Sequence, residues 1–460
     1  MFNNSWLSFP HIIKSLLKNT WYRIVPFPYV FRFEFAKYYK FLMQSQWWSQ
    51  EKLEEFQNKR LQIVIKHAYE NVPYYRKIFN DRGLSPNDIK SKEDLKILPV
   101  LTKNDVRENF NNLLAKNFIK FKPSCFHTSG STGEPLHYYI DKTLIAFTQA
   151  IVWRHWQWCG VKYGEPIAIF RGTLIDDFGK KQKNHWKIEG NQVHFSTFEM
   201  SEKIMARYVE KLNEIRPTLI RGYPASLEIF AKFIKSRNLN IPSPTAIQTA
   251  SETVLPEQRR IIEQVFNSKL FDLYGHGEST VYAGECQHNG MHLDLEYGYS
   301  EFIKTDETRE MNNVYNVIST SLWNFSMPFI RYDTEDLVLL KNSKCICGRG
   351  LPVITKVIGR QADIIEGING VKVSPSSFVH FWKYRIDNKL SGIKYAQLIQ
   401  IKQDSLLIKL VGSKDKNNEN VIREQINMLL GEMNIEYKYL SQIPTGQKWR
   451  FTVSKIKLDK

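Results

Sequence analysis

The chain has 460 residues, about three times a typical domain, which excludes a single small binding module and predicts two or three domains. A hydrophobic share of 42% and a charged share of 24% exclude wholesale disorder and fibrous repeats. Lys and Arg number 64 against 47 Asp and Glu, and the resulting +17 favours an anionic partner such as a nucleotide, a lipid headgroup or nucleic acid.

Residues 1–45 interleave Lys14, Lys18, Arg23, Arg32, Lys37 and Lys40 with Trp6, Trp21, Tyr22, Phe31 and Phe33. That composition suits an arm packed across its own domain, or peripheral contact with an anionic membrane surface. No uncharged apolar run reaches the roughly 18 to 20 residues that a bilayer demands, and the N-terminus lacks a secretory pattern, so the expected location is cytoplasmic. Leu53, Phe56, Leu61, Val64 and Ile65 recur at helical spacing over 49–68, with a stop before Pro73.

Between residues 140 and 280, helical patterns at 146–158, 204–215, 226–236 and 257–266 alternate with short apolar runs at 166–170, 219–221, 246–249 and 270–273. Alternation of this kind predicts strands joined by crossover helices in an α/β core. Beyond Arg360 the order becomes strand 395–401, strand 406–411, helix 420–433, strand 435–440, a separate small α+β unit. The expected division is a large N-terminal α/β domain over 1–359, a hinge over 360–370 containing Gly367 and Gly370, and a small C-terminal lid over 371–460.

Chemistry-bearing residues fall in four patches. HTSGSTGEP at 127–135 places the hydroxyls of Thr128, Ser129, Ser131 and Thr132 around Gly130 and Gly133. Such a loop either turns its amides and hydroxyls toward a phosphate or forms a solvated turn; it is not the G-x-x-x-x-G-K-[ST] loop, because no lysine follows Gly133. In LYGHGEST at 273–280, Tyr274 offers a ring, Gly275 a tight turn, and Glu278 a carboxylate suited to a hard cation. IRYDTEDL at 330–337 carries Asp336, and IGRQADI at 358–364 carries Arg360. Taken singly, acidic and arginine residues in such places read equally well as surface ion pairs. Cys286, Cys345 and Cys347, with His292 or His288, supply a Cys₃His set suited to structural zinc, with buried reduced thiols as the alternative.

The order TSGSTG, YGxxE, RYxTxD, GRxxD and a late Lys448 resembles the adenylate-forming superfamily, closest to the CapK-like branch of the phenylacetate-CoA ligase family associated with capsular polysaccharide synthesis. VPYYR at 72–76, EDLKILP at 93–99 and CICGRGLP at 345–352 also look like that branch. The resemblance implies that ATP, Mg²⁺ and a carboxylate meet, giving an acyl-adenylate and then a coenzyme A thioester. An amine or sugar acceptor without coenzyme A is the alternative, and a basic nucleic-acid-binding protein is the rival from another class; no nucleic acid is expected as a partner. By the same resemblance Thr128 to Gly133 hold the β- and γ-phosphates, with Thr132 among the catalytic groups, and Tyr274 and Gly275 line the adenine and acyl phosphate. Glu278 binds magnesium, Asp336 accepts from the ribose, and Arg360 contacts the nucleotide near the hinge. Lys448 assists adenylation, with Lys455 as its fallback, while Tyr223 and Glu252 border the acyl pocket. The chain departs from the wider superfamily by having Pro135-Leu136-His137 after the phosphate loop and Gly446-Gln447-Lys448 near its end.

Overall fold

Ser49 accepts a hydrogen bond from the Lys52 backbone and so caps the helix Gln50–Asn71, whose Leu61, Val64, Ile65 and Ala68 form one buried stripe. The helix ends before Pro73, which instead starts a second helix, Pro73–Asp81, at the position where a missing N–H costs nothing. This is seen in a computed structural model that describes residues 33–127, 136–171, 186–197, 202–309, 312–340, 345–360, 365–368, 372–373, 382, 386, 389–441 and 452–455. Residues 1–32 of the basic arm, Thr128 to Gly133 and Lys448 lie outside the described residues.

A hairpin of β1 (Ser124–His127) and β2 (His137–Ile140) pairs His127 with His137, so the segment 128–135 connects its two strands. The helix Lys142–Trp158 follows and packs Phe147 and Ile151 into the same core as Leu61 and Val64. Then come β3 (Ile167–Arg171), β4 (Trp186–Glu189), β5 (Gln192–Ser196), β6 (Leu219–Gly222), β7 (Ala246–Ala250) and β8 (Leu270–Gly275). Of these, β5, β3, β6, β7 and β8 run parallel as neighbours, as the alternation of apolar runs and helices predicts. The helices Glu202–Ile215, Pro224–Ser236 and Pro256–Phe266 cover one face, burying Tyr208, Leu227, Phe230 and Ile262 against Ala168, Ile220 and Ile247.

The sheet does not stop at β8. It continues through β9 (Tyr282–Glu285), β10 (Met291–Leu293), β11 (Gly298–Arg309), β12 (Asn312–Ser321), β13 (Tyr332–Leu340) and β14 (Val353–Arg360), all paired antiparallel. The twelve strands stand in the order β11-β12-β13-β14-β10-β9-β8-β7-β6-β3-β5-β4. Short strands β15 (Ile365–Glu366) and β16 (Lys372–Val373) pair with each other. A second sheet, β19-β18-β17-β20, is made from β17 (Ile393–Lys402), β18 (Ser405–Gly412), β19 (Asn434–Leu440) and β20 (Thr452–Ser454), with the helix Lys416–Leu430 between β18 and β19. Its core of Leu398, Leu406, Ile408, Ile422, Ile426 and Leu430 is separate from that of the large sheet, as expected of a small α+β unit. The mixed α/β class read from the sequence is the class observed.

Candidate active site

The carboxyl ends of β6, β7 and β8 share one edge because these strands are parallel, and such edges are where open α/β sheets bind ligands. Tyr223 directly follows β6, Glu252 stands two residues beyond β7, and Tyr274 and Gly275 end β8. Tyr274 is buried, and its hydroxyl donates to Asp336 Oδ2 at 3.0 Å. Asp336 sits on β13 opposite Arg360 on β14, and its backbone N–H donates to Thr334 Oγ1 at 3.1 Å.

Glu278 is 3% exposed, and a carboxylate this deep needs partners. Tyr332 donates its hydroxyl to Oε1 at 2.8 Å, while His276 Nδ1 meets Oε2 at 3.1 Å and His276 Nε2 meets Thr280 Oγ1 at 3.1 Å. Nδ1–H donates to the carboxylate, which can only accept, and Nε2 exchanges a hydrogen bond with the Thr280 hydroxyl, which also meets Ser319 Oγ. The β1–β2 hairpin closes in beside this carboxylate. A Cβ on Gly277 would lie 2.4 Å from the Tyr138 hydroxyl, so only glycine lets β2 come this near. Burial, and then the neighbouring Glu278 charge, push the Tyr138 phenol well above its ordinary range. Gly275 is equally confined, with the Tyr282 ring 2.7 Å from where its Cβ would stand.

The accessory motifs brace β13. Tyr75, from VPYYR, donates to Pro328 O at 3.0 Å and accepts from the Ile330 N–H at 3.0 Å. Leu101, just past EDLKILP, exchanges backbone hydrogen bonds with Arg331 and Asp333, each 2.9 Å. The Arg331 guanidinium meets both oxygens of Glu301, at 3.0 and 2.9 Å, in the two-pronged form that arginine and carboxylate favour. Arg331 and Glu335 both have positive φ, 52° and 58°, as does Ser279 beside Glu278 at 57°. Each such backbone costs on the order of 1–3 kcal/mol and persists only where surrounding contacts fix it.

Thus Tyr274, Asp336, Glu278 and the backbone of Arg360 are brought into one region of the large sheet. Sequence reasoning passes over Tyr332, His276 and Tyr138, although the first two lie inside RYDTED and YGHGE. The signal available was their polarity within motifs already marked as chemical.

A second cluster lies on the β9–β10 side. Ligand atoms of Cys286, His292, Cys345 and Cys347 all fall within 4.8 Å of one another, with Cys286 Sγ 3.6 Å from Cys345 Sγ and Cys347 Sγ 3.2 Å from His292 Nε2. His288 is not part of it; its backbone N–H donates to Cys286 Sγ at 3.4 Å. His292 Nδ1 is 2.8 Å from Leu351 O, which fixes the donating nitrogen and leaves the Nε2 lone pair facing the thiols. Burial lowers the His292 pKa, favouring the neutral imidazole that a ligand must be, and raises that of the Cys286 thiol to about 11. A Cβ on Gly290 would stand 2.9 Å from Cys345 Sγ and 3.2 Å from His292 Nε2, so the turn is cut to fit the sulfurs. A tetrahedral zinc with Zn–S bonds of about 2.3 Å holds its sulfurs about 3.8 Å apart, and this donor set fits such an ion.

The CapK C-terminal domain family matches residues 365–455, which span the smaller sheet. Protein CapK of Staphylococcus aureus is 25% identical over 420 residues, covering 88% of this chain and 89% of the relative. Phenylacetate-coenzyme A ligase of Thermus thermophilus is 25% identical over 337 residues, covering 71% and 74%. The crystal structure of 2-hydroxyisobutyryl-CoA ligase in the postadenylation state, in complex with R3-HIB-AMP, shares the fold with a TM-score of 0.67 at 20% identity, covering 90% of this chain and 91% of that one. Among the described residues, no helix is long and apolar enough to cross a membrane.

Proposed function

We propose that this chain, an adenylate-forming ligase of the phenylacetate-CoA ligase and CapK type, activates a small-molecule carboxylate as its acyl-adenylate and passes the acyl group to coenzyme A. The observation that carries the reading is the convergence of the Tyr274–Asp336 pair and the Tyr332–Glu278–His276 cluster at the ligand-binding edge of the sheet. In the reaction a carboxylate oxygen attacks the α-phosphorus of ATP and pyrophosphate leaves. The coenzyme A sulfur then attacks the acyl carbon, and AMP leaves. Two anions must meet in the first step, so alignment and charge compensation dominate catalysis.

Thr128 to Gly133 would hold the β- and γ-phosphates. Asp336, oriented by Tyr274, would accept hydrogen bonds from the ribose hydroxyls. Glu278, a carboxylate held in place by Tyr332 and His276, would supply an oxygen ligand to magnesium. When bound, that cation offsets negative charge between phosphates and substrate. Lys448 would reach the reacting atoms when the small domain swings about a hinge at 360–370, with Arg360 at its base. Cys286, His292, Cys345 and Cys347 would hold a structural zinc, since four protein ligands leave no open position. Service in cell-surface polysaccharide assembly rests on the similarity to Protein CapK.

Purified protein incubated with ATP, Mg²⁺ and a panel of aryl, fatty and amino acids, with and without coenzyme A, tests the reading by mass spectrometry. AMP and an acyl-CoA are expected. Acid-dependent AMP without a thioester assigns the acyl group to an amine or sugar acceptor, and no acid-dependent AMP overturns the proposal.

A further inference from the structure

Arg221 is the penultimate residue of β6, in register with Ile169 on β3 and Gln248 on β7. These side chains share the sheet face that meets the helix Lys142–Trp158, where the Arg221 guanidinium carbon lies 5.8 Å from the centre of the Trp156 ring. Trp156 is itself fixed, its indole N–H donating to Gln248 Oε1 at 2.9 Å. No carboxylate among the described residues pairs with Arg221. Among the described residues, the titratable groups that act on it are Tyr282, Arg171 and Tyr223. Arg171, at the end of β3, is a second cation, so the pair repel where a structural ion pair would attract. Burial first, and then Arg171, push the Arg221 pKa down to about 10, which still leaves it charged at neutral pH. Arg221 is partly exposed at the carboxyl end of β6 and Arg171 is exposed at the end of β3, so both cations are open to an arriving anion.

Its position says which anion. Tyr282, one of the groups near Arg221, also presses its ring against Gly275 at the end of β8. The acyl group that would be activated beside Gly275 therefore runs past Tyr282 toward Arg221. Resting on the adenylation reading above, we propose that Arg221, aided by Arg171, binds a second anionic group on the substrate, making the preferred acid bifunctional. Counted through the register, the two ends lie about 10 Å apart across two strand spacings and about 13 Å apart along four residues. Arg221 bridges part of that span, so the substrate is longer than a malonate-sized diacid. A carboxylate and a phosphate both suit a guanidinium, which can grip either through two N–H groups.

The test is a ladder of α,ω-dicarboxylates from malonate to suberate, each with its matching monocarboxylate, plus phosphorylated hydroxy acids, assayed by ATP–pyrophosphate exchange and by thermal shift of the whole protein with the acid alone. A diacid-over-monoacid preference of about 10- to 100-fold in kcat/KM, rising with length, is expected. It should collapse toward unity in Arg221→Met and weaken severalfold in Arg221→Lys. A superior phosphorylated acid assigns the second group as phosphate, and a superior diacid as carboxylate. Exchange with monoacids and diacids alike, unmoved in Arg221→Met, overturns the proposal and leaves adenylation standing. Diacid binding that needs Arg221, without exchange, sinks the adenylation reading and keeps the anion site; neither exchange nor binding sinks both. Should Arg221→Met fail to fold, the wild-type preference and its weakening in Arg221→Lys decide the matter.

Discussion

The hydroxyl of Tyr274 donates to Asp336 Oδ2 at 3.0 Å, tying the carboxyl end of β8 to β13, although the sheet order places β9, β10 and β14 between these strands. The bond orients a carboxylate that stands between the core and the proposed nucleotide. Asp336→Ala should raise the KM for ATP about 10- to 100-fold, the worth of hydrogen bonds to a charged group. Tyr274→Phe should raise it by less, about threefold to tenfold, because it loosens the carboxylate without removing it. Steady-state kinetics with ATP varied checks both, and an unchanged KM in Asp336→Ala would remove this residue from nucleotide binding.

Close approach of β2 to Glu278 depends on Gly277. Gly277→Ala drives a methyl group to 2.4 Å from the Tyr138 hydroxyl and is expected to cost about 1–3 kcal/mol as an overpacking change. Tyr138→Phe removes the obstructing oxygen, so the double variant should recover most of the loss. Urea unfolding of the four proteins of this cycle measures the coupling, and additive losses would mean that the two residues do not meet.

For the thiolate cluster, purified protein is expected to carry about one equivalent of zinc by elemental analysis. Cys345→Ser and His292→Ala should each lose it and lower the melting temperature by several degrees, and His288→Ala should do neither. Gly290→Ala should also weaken retention, since its methyl group would press on both Cys345 and His292. Zinc below about a tenth of an equivalent, with no response to chelator, would refute the site.

Asp272 on β8 accepts from the Thr249 hydroxyl at 2.8 Å, yet burial, and next the charge of Glu285, raise its pKa from 3.8 to about 7. In the unfolded chain the carboxyl ionises near 3.8, so between about pH 4 and 7 the unfolded state gives up a proton that the folded state keeps. Stability therefore falls as pH rises through that window and levels off above it. Asp272→Asn should abolish this slope and gain on the order of 1–4 kcal/mol at pH 8 relative to the parent. Urea midpoints at pH 5 and pH 8 test it, and parallel midpoints in parent and variant would contradict it.

The parallel half of the fold was legible because each crossover helix carries an apolar stripe at helical spacing and each strand is a short apolar run, as at Ile167 to Phe170. The order of their motifs picked out Asp336, Tyr274 and Glu278, and the structure brings the three into one region. Extension of the sheet beyond β8 was not legible. β13 is buried on both faces and includes Thr334 and Asp336, so neither alternation nor a clean apolar run marks it. Arg154 is another case. It lies fully buried in the helix Lys142–Trp158, its charge met by Asp294 and, at 2.8 Å, by Glu296, both some 140 residues away along the chain, a pairing that no local pattern announces. His292 rather than His288 joins the thiols because β10 points it inward, a choice decided by strand register.

Acid-dependent exchange of labelled pyrophosphate into ATP, run on parent protein, Glu278→Gln and Lys448→Ala, bears most directly on the adenylation claim. The account predicts exchange that requires both Mg²⁺ and a carboxylic acid and falls at least about a hundredfold in each variant, the scale seen when one transition-state contact is removed. Exchange at the parental rate in both variants, or none with any acid in the parent, would contradict it.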